Sequence, residues 1–416
     1  MTRREKGSMP VSFADIESAA ERIRGAVART PCPLSIPLSE ITGMEIYCKL
    51  EHLQRTGSFK ERGARNALLL LPEEKKRRGV IAASAGNHAL GLAYHARLLG
   101  IPVTVVMPLE APLMKVVNCQ KLGATVLQHG ENIEEARAHA MQIVEKEGLA
   151  YINGFNDPAI IAGQGTMGLE ILEQVPELEA VIVPVGGGGL IAGVALVVKT
   201  LKPSVQVIGV EAENVASFEA ALRAGKPVEA ELKPSLADGL GVPKAGDNAF
   251  EIARPRVDKN VVVREHTVAL AILRLMELEK AVIEGAGATP LAACLEKLLP
   301  ELKGKKVVLP LTGGNIDTNM VGRVIERGLA EDGRLCRFSA IISDRPGGLA
   351  RFAAILAEER ASIRDITHDR AFAGEDLNEV RIHCLAETRD RKHIERLRER
   401  LGREGFSVYF SRQLPD

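Results

Sequence analysis

The chain lacks several features that would assign it to a specialised class of protein. Its 416 residues include no tryptophan and only 3% aromatic residues, and its 54 basic residues balance its 54 acidic ones. A formal net charge of +0 gives no basic field to attract nucleic acid or an anionic membrane. The longest apolar runs, such as residues 190–198, are too short to span a bilayer. We therefore expect neither nucleic acid nor a membrane among its partners.

Cysteine is sparse, and its distribution argues against secretion. Six cysteines are scattered along the chain without a Cys-x-x-Cys pair, and the polar first residues contain no apolar segment of a signal peptide. Reduced thiols of this kind are typical of a cytoplasmic protein, which is the predicted location. The histidines show no spacing typical of metal ligands, so the prediction for a metal site is none.

The pattern that is present is an alternation of short apolar strands with amphipathic helices. Such alternation over about 300 residues predicts an α/β protein with open, doubly wound sheets. Several of these strands are apolar on both faces, as expected for a parallel sheet covered by helices. The predicted strands are residues 80–84, 103–107, 124–127, 180–185, 207–211, 261–264 and 306–311.

The pattern changes near residue 330. A polar, glycine-containing stretch at 329–336 is interpreted as a linker, which makes 1–328 the first domain, with a smaller subdomain at roughly 50–150. Residues 337–416 then follow the order βαββαβ, with strands expected at 337–343, 362–369, 378–386 and 407–412. This order predicts a ferredoxin-like unit.

Four consecutive glycines form the strongest local signal. Gly186, Gly187, Gly188 and Gly189 separate a buried strand from a helix that begins near Leu190. Glycines allow a ligand to approach the backbone, and free amides at a helix N-terminus attract an anion, so the segment predicts a phosphate site. It matches neither a Walker A motif nor a dinucleotide fingerprint. A tight turn without a ligand is the alternative.

A second strand-to-helix junction carries polar groups. Ser84, Ala85, Gly86, Asn87 and His88 follow the strand at 80–84. Ser84, Asn87 and the nearby amides could bind a carboxylate at the helix N-terminus. Taken alone, the simpler interpretation, in which Asn87 or Ser84 only caps the helix, is favoured.

Two further residues complete the set. Lys60 follows Phe59 at the start of an apolar helix, where burial would make its amine a nucleophile, although a surface lysine is the simpler interpretation. Thr312 begins a loop after the strand that ends at Leu311, where its hydroxyl could contact a ring nitrogen, although a plain turn is the alternative. A phosphate site, a nucleophilic amine and a partner for a ring nitrogen together predict pyridoxal 5′-phosphate, with Lys60 forming the Schiff base.

Four motifs now identify a family by resemblance. They are S-F-K-x-R-G-A at 58–64, S-A-G-N-H-A at 84–89, G-G-G-G-L at 186–190 and T-G-G-N at 312–315. Together they resemble the fold-type II pyridoxal-phosphate enzymes, and within that group the threonine dehydratases, over residues 12–330. The tail is similar to an ACT domain, the small amino-acid-sensing module, through residues 344–356 and its βαββαβ order.

The resemblance implies a role for each residue of the motifs. Lys60 would hold the cofactor and move the Cα proton, and Phe59 would pack beside the ring. Asn87 would bind the ring hydroxyl, and Thr312 would contact the pyridine nitrogen. The other implied roles are a loop for the substrate carboxylate (Ser84, Ala85, Gly86, His88) and backbone amides for the phosphate (Gly186, Gly187, Gly188, Gly189, Leu190).

Four positions depart from the family pattern. Thr312 replaces the usual serine or cysteine, and Leu90 stands where glutamine is common. Ala85 stands where serine racemases carry a second serine, so racemisation should be poor. Glu211 and Glu213 resemble part of a cation site found in some relatives, but Ser217 replaces an expected acid and makes a bound cation a weak expectation.

The implied activity is deamination of L-threonine to 2-oxobutanoate and ammonia, with L-serine as a secondary substrate. An amino-acid effector such as isoleucine or valine would bind at paired ACT domains of a homo-oligomer. A plain oligomerisation module is the alternative for the tail. For the whole chain the alternatives are a serine or aspartate racemase, a threonine synthase and a non-catalytic amino-acid-binding regulator.

Overall fold

A computed structural model describes residues 9–370 and 378–410. The chain divides into two compact units, the first ending at Ile316 and the second beginning at Asp317. The first unit contains two separate parallel sheets covered by helices, and the second contains one antiparallel sheet. The predicted doubly wound α/β architecture, followed by a ferredoxin-like domain, is confirmed.

The elements are numbered in chain order within the described residues. The strands are β1 Leu34–Ser35, β2 Glu45–Lys49, β3 Val80–Ala83, β4 Val103–Met107, β5 Thr125–Gln128, β6 Ala150–Tyr151, β7 Ala180–Pro184, β8 Gln206–Ala212, β9 Lys259–Val263, β10 Lys306–Pro310, β11 Leu335–Ser343, β12 Ser362–Asp369, β13 Glu379–Glu387 and β14 Ser407–Phe410. The α-helices are α1 Phe13–Ile23, α2 Ile36–Thr42, α3 Lys60–Leu70, α4 Glu73–Arg78, α5 Asn87–Leu99, α6 Leu113–Lys121, α7 Ile133–Glu147, α8 Pro158–Gln174, α9 Gly189–Leu201, α10 Ser217–Ala224, α11 Asp247–Ala253, α12 Glu265–Leu278, α13 Gly285–Leu295, α14 Thr318–Glu331, α15 Gly348–Glu358 and α16 Arg391–Arg403.

The larger parallel sheet has the strand order β1-β2-β10-β7-β8-β9. Only β1 runs antiparallel to its neighbour, and every other pair is parallel. β7 is buried at all five positions, which explains its unbroken apolar sequence. The carboxyl ends of β7 and β10 lead into residues 186–190 and 312–315, so two of the predicted motifs lie at one edge of this sheet.

The smaller parallel sheet has the order β5-β4-β3-β6 and lies between Val80 and Tyr151. Its strand β3 leads into residues 84–88 and then into α5. That helix ends at Gly100, which adopts φ 66°, with Pro102 just beyond, as the sequence predicted. Residues before and after this sheet belong to the larger sheet, so the smaller subdomain is inserted into the larger one.

The second unit confirms the predicted ferredoxin-like order. β11, α15, β12, β13, α16 and β14 form an antiparallel sheet in the order β12-β13-β11-β14. Its core is built from one face of the sheet and the apolar faces of the two helices, and it includes Phe338, Phe352 and Leu397. The predicted strands at 378–386 and 407–412 are β13 and β14, and residues 411–412 lie outside the described chain.

The predicted linker at 329–336 is wrong. Residues up to Glu331 are the last turn of α14, and β11 already begins at Leu335. α14 belongs with the second unit, where Glu326 pairs with Arg364 at 3.1 Å and Glu331 pairs with Arg391 at 3.1 Å. The two units therefore divide after Ile316, earlier than the predicted boundary at 328. The prediction failed because residues 329–334 are polar, which concealed the end of the amphipathic helix α14.

In the part of the chain that the structure describes, no helix is both long and apolar enough to cross a membrane.

Candidate active site

A cavity of about 500 Å³ lies in the first unit, where the carboxyl ends of the strands of both parallel sheets open toward each other. All the predicted site residues except Gly86 line it. Those that do are Phe59, Lys60, Ser84, Ala85, Asn87, His88, Gly186, Gly187, Gly188, Gly189, Leu190 and Thr312. Motifs that lie up to about 250 residues apart in sequence are thus brought to one site, in the crevice at the carboxyl ends of the strands where open α/β sheets bind their ligands.

Lys60 is the first residue of α3, and its side chain extends into the cavity. The Lys60 Nζ donates to the Gly154 carbonyl oxygen at 2.9 Å and lies 5.2 Å from the centre of the Phe59 ring. Burial lowers the pKa of Lys60 to about 8, although the charge of Glu284 acts in the opposite direction. The interpretation of Lys60 as a surface lysine is therefore wrong, and an appreciable fraction of its amine is neutral near physiological pH.

The loop before Lys60 is joined to the loop after β10. Ser58 and Gly313 form an antiparallel bridge, and the Phe59 amide donates to the Thr312 carbonyl oxygen at 3.0 Å. Gly314 donates to the Gly57 carbonyl oxygen at 2.9 Å. Backbone hydrogen bonds thus hold the lysine and Thr312 at a fixed separation. Thr312 is almost completely buried, at 2% exposure.

Asn87 is held from two directions. Its Nδ2 donates to the Glu284 carboxylate at 2.6 Å, and its Oδ1 accepts from the Asn315 Nδ2 at 2.8 Å. Glu284 is buried, which raises its pKa to about 7 together with the charge of Asp238, while the Asn87 hydrogen bond and the charges of Lys115 and Lys60 lower it. A carboxyl group that titrates near neutrality thus lies within the cavity.

The N-terminus of α5 is open toward the same cavity. Its N-cap is Gly86, and neither Ser84 nor Asn87 caps the helix with a side-chain hydrogen bond. The Ser84 Oγ accepts from the Gly86 amide at 3.3 Å instead. The interpretation of these residues as a simple cap is therefore wrong, and the amides of the first turn remain available to an anionic ligand.

His88 is a neutral residue in this site. Its Nε2 lies 3.0 Å from the Ile152 carbonyl oxygen, which can only accept, so Nε2 carries the proton. Burial and then the charge of Lys60 lower the pKa of His88 to about 4. His88 therefore cannot hold a substrate carboxylate as a cation; its ring supports the wall of the cavity around Gly154.

In the glycine loop, residues 186–189, two separate structural requirements explain the glycines at 187–189: a backbone conformation with positive φ and close packing against Phe155. Gly188 adopts φ 89° and serves as the N-cap of α9, which no side chain caps. A Cβ on Gly187 would lie 2.3 Å from the Phe155 ring, and one on Gly189 would lie 2.3 Å from the Phe155 carbonyl oxygen. Close packing against Phe155 thus requires glycine here, while the open amides of α9 provide the anion site.

The acidic segment after β8 is engaged in a structural contact. The Glu211 carboxylate accepts from the amides of Phe218 and Glu219, each at 2.7 Å, and from the Asn260 Nδ2 at 2.9 Å. Burial raises the pKa of Glu211 to about 7. These bonds occupy the carboxylate at the start of α10, and no cluster of three or more His, Cys, Asp or Glu residues suited to a metal occurs among the residues described.

Sequence reasoning missed several residues of the site. Glu284 lies in the ordinary-looking segment that precedes α13, and Gly154 and Phe155 lie in a loop without a motif. Glu284 is the N-cap of α13 without capping it, so a local pattern at 284–287 would have indicated only a helix start. Their importance follows from tertiary contacts across about 100 to 200 residues.

The donor set fits the predicted cofactor. A desolvated amine, two uncapped helix N-termini and a buried threonine face one cavity, and they match an aldehyde, a phosphate, a carboxylate and a ring nitrogen respectively.

Comparisons with known proteins agree with this geometry. Residues 23–313 match the family described as pyridoxal-phosphate dependent enzyme. The chain is 47% identical to an L-threonine ammonia-lyase of Thermotoga maritima over 96% of this chain and 99% of that protein. It is 44% identical to an L-threonine ammonia-lyase of Geobacter sulfurreducens over 94% of this chain and 98% of that protein.

Solved structures show the same fold for the first unit. The processed form of threonine deaminase isoform 2 from Solanum lycopersicum has a TM-score of 0.71 and 34% identity, covering 79% of this chain and 99% of that one. Maize serine racemase has a TM-score of 0.72 and 34% identity, covering 77% and 98%. With a matching family profile over most of its length and relatives this similar, the chain belongs to the pyridoxal-phosphate dependent enzymes of fold type II.

Proposed function

We propose that this protein is an L-threonine ammonia-lyase, which eliminates water from L-threonine to give an enamine that water then hydrolyses to 2-oxobutanoate and ammonia. The observation that carries the proposal is the Lys60 amine, whose pKa is lowered to about 8 in a cavity that two uncapped helix N-termini also face. The similarity to L-threonine ammonia-lyases over nearly the whole chain supports the same conclusion.

Lys60 is the base in the proposed mechanism. When bound, pyridoxal phosphate supplies an aldehyde that captures the substrate amino group and a ring that delocalises the electrons left at Cα. The neutral Lys60 Nζ takes the Cα proton, and the Gly154 carbonyl oxygen, 2.9 Å away, orients the amine for this transfer. Burial makes the transfer possible near neutral pH, because it favours the uncharged amine.

The remaining groups bind and orient. The amides of residues 186–190 would hold the phosphate at the N-terminus of α9, and those at the start of α5, with Ser84, would hold the substrate carboxylate. Asn87 would donate to the ring hydroxyl. Thr312 would offer the ring nitrogen a neutral hydroxyl rather than a carboxylate, which would leave that nitrogen largely unprotonated and favour prompt loss of the β-hydroxyl group as water.

The same groups accommodate L-serine, which lacks one methyl group, so we propose it as a secondary substrate that yields pyruvate. Serine racemase is the rival activity, because a serine racemase shares the fold at 34% identity. Ala85 lines the cavity but has no hydroxyl group to deliver a proton to the opposite face of Cα. We therefore expect racemisation to be slow relative to elimination.

We further propose that the second unit is an ACT domain that senses an amino acid. It carries the βαββαβ order of such domains, and its partner would be the same unit of another subunit in a homo-oligomer. Isoleucine or valine is the proposed effector class. The six cysteines are free and buried, which supports a cytoplasmic location.

The deciding experiment measures oxoacid formation by the purified protein. L-threonine, L-serine and D-serine are compared for the wild type, Lys60→Ala and a control, Lys121→Ala, which changes an exposed lysine of α6. We expect 2-oxobutanoate from the wild type and the control and none from Lys60→Ala.

Three other results would redirect the proposal. Loss of optical rotation in serine without oxoacid formation would indicate a racemase. Release of phosphate from a phosphorylated homoserine would indicate a threonine synthase. A protein that takes up no chromophore from pyridoxal phosphate would indicate a non-catalytic amino-acid-binding regulator.

A further inference from the structure

Three side chains from separate parts of the first unit form one hydrogen-bonded row across the cavity wall. The Asn315 Nδ2 donates to the Thr56 carbonyl oxygen at 2.7 Å and to the Asn87 Oδ1 at 2.8 Å. The Asn87 Nδ2 then donates to the Glu284 carboxylate at 2.6 Å. The row connects the loop before Lys60 with the loops that follow β3 and β10.

The chemistry of the two ends determines the direction of the row. A backbone carbonyl oxygen only accepts, so the Thr56 carbonyl fixes which end of the Asn315 amide carries its NH₂ group. The Asn315 NH₂ group donates to the Asn87 Oδ1, so the NH₂ group of Asn87 lies on the side of Glu284, whose carboxylate only accepts when it is ionised. An amide reversed at either residue would place two acceptors against each other, so both amides are held in one orientation.

A count of hydrogens shows what remains for a ligand. The amide nitrogen of Asn87 carries two hydrogens, of which Glu284 receives one. The second has no partner among the hydrogen bonds of the described residues, and Asn87 lines the cavity. Asn87 is therefore presented to the cavity as a donor.

We propose that Glu284 and Asn315 are positioning residues that keep Asn87 in its donor orientation toward the ring oxygen of the cofactor. The inference rests on the proposed function, which has the cofactor ring beside Asn87. A donor held against that oxygen stabilises the deprotonated ring hydroxyl and so lowers its pKa. The two residues would thus control the ionisation of the cofactor without touching it.

The test uses the absorption spectrum of the loaded protein as a function of pH. Glu284→Gln and Glu284→Leu both remove the negative charge, but only glutamine keeps an oxygen that can accept from Asn87. We expect the ring hydroxyl of the Leu variant to titrate about one pH unit higher than that of the Gln variant, the size expected for one hydrogen bond to a charged group. Glu211→Gln is the matched control, since Glu211 is also buried, has a pKa raised to about 7 and does not line the cavity.

Asn315→Asp provides a second arm if the Leu variant fails to bind the cofactor. An aspartate offers Asn87 only acceptors, so Asn87 must reverse or lose its partner, and the titration should again move upward. Equal titration pH for the Gln and Leu variants of Glu284, or an unchanged titration in Asn315→Asp, would overturn the proposal. A wild-type protein that forms no chromophore with pyridoxal phosphate would instead refute the proposed function on which it rests.

Discussion

Lys60 illustrates how burial converts an ordinary residue into a reactive one. The sequence identified it through the Ser-Phe-Lys triplet, but its neighbours in sequence alone favoured a surface position. Its lowered pKa results from burial in a cavity wall built by residues distant in sequence, and the charge of Glu284, more than 200 residues away, only partly opposes this effect. Such a property depends on tertiary contacts, so only the motif, and not the pKa, could be predicted.

The pKa of Lys60 predicts how the cofactor-free protein reacts with pyridoxal phosphate. Only the neutral amine attacks, so the capture rate should rise with pH and level off above about 8, rather than near the ordinary value of 10.5. Glu284→Gln removes a charge that favours the ammonium form, so its midpoint should lie at lower pH. Stopped-flow absorbance measures both rates. A midpoint near 10 in the wild type would contradict the buried position of the amine.

Arg62, two residues after Lys60, forms a buried ion network beneath α3. Its Nη2 lies 2.7 Å from Glu51 and its Nη1 lies 2.7 Å from Glu170 of α8. Burial raises the pKa of Glu51, but the charge and hydrogen bonds of Arg62 outweigh this effect, and the net pKa is lowered. The network fixes the helix that carries Lys60 against α8.

Arg62→Met should destabilise the protein by about 3–5 kcal/mol, because it leaves Glu51 buried without its partner. Arg29→Met is the control, since Arg29 pairs with Glu173 on the surface and its loss should cost less than about 1 kcal/mol. Because the folded pKa of Glu51 is lowered, its contribution to wild-type stability is complete above the unfolded pKa and is lost as the pH falls through the folded value. Urea unfolding at several pH values measures both effects, and equal losses for the two variants would refute the role of the network.

At the scale of elements, the glycine loop joins packing to ligand binding. Its sequence was sufficient to predict a strand, a turn and an open helix N-terminus. The role of Phe155, which excludes a side chain at Gly187 and Gly189, was not predictable, since Phe155 lies in a distant loop and has no pattern of its own. The glycines are therefore a weaker sign of a ligand than their number suggests, and the open helix end is the stronger one.

Gly187→Ala tests whether packing against Phe155 requires glycine at this position. Its Cβ would meet the Phe155 ring, so we expect a loss of about 1–3 kcal/mol in stability and weaker binding of pyridoxal phosphate. Gly402→Ala, in α16, meets no atom within 4 Å and should leave stability unchanged or raise it by about 0.5–1 kcal/mol. Thermal melts with and without cofactor separate the two effects. A neutral Gly187→Ala would show that Phe155 moves aside freely.

Elements with a strong pattern were predicted well, and short ones were missed. β4 agrees with its prediction at both ends, because 103–107 is rich in β-branched residues, largely apolar and flanked by proline on each side. β1 and β6 have two residues each, too few to show any periodicity. β2 has only five residues, and although its alternation follows Gly43, which ends α2 with φ 71°, it is not among the predicted strands. Their positions are set by the neighbouring strands rather than by their own sequence.

At the scale of the whole molecule, the chain has two compact units, to which we assign two different proposed binding functions. Catalysis belongs to the first unit, and the proposed effector site belongs to the second. A coupling between them requires that the effector bind two states of the enzyme with different affinities. The bound substrate must then change the affinity for the effector by the same factor by which the effector changes the affinity for the substrate.

Isoleucine or valine should therefore change the L-threonine concentration at half-maximal rate, by about 5–150-fold for a typical coupling. Calorimetry with Lys60→Ala, which should bind without turnover, would detect the reciprocal effect of L-threonine on effector affinity. L-Alanine serves as a control amino acid. No change in rate with either branched amino acid, together with no heat of binding, would favour a plain oligomerisation module.

The place of β10 in the larger sheet has a consequence for synthesis on the ribosome. β10 lies between β2 and β7, which have no other connection in the sheet, yet it is the last of the six strands to be made. A nascent chain that stops before Lys306 holds two partial sheets, each with an unpaired edge facing the gap. Until that strand emerges and inserts, the chain is exposed to mispairing with other chains, and Thr312 is not yet in place beside Phe59. Cofactor capture should therefore follow, rather than guide, the assembly of the sheet, and chains interrupted just before this point should be those most dependent on chaperones.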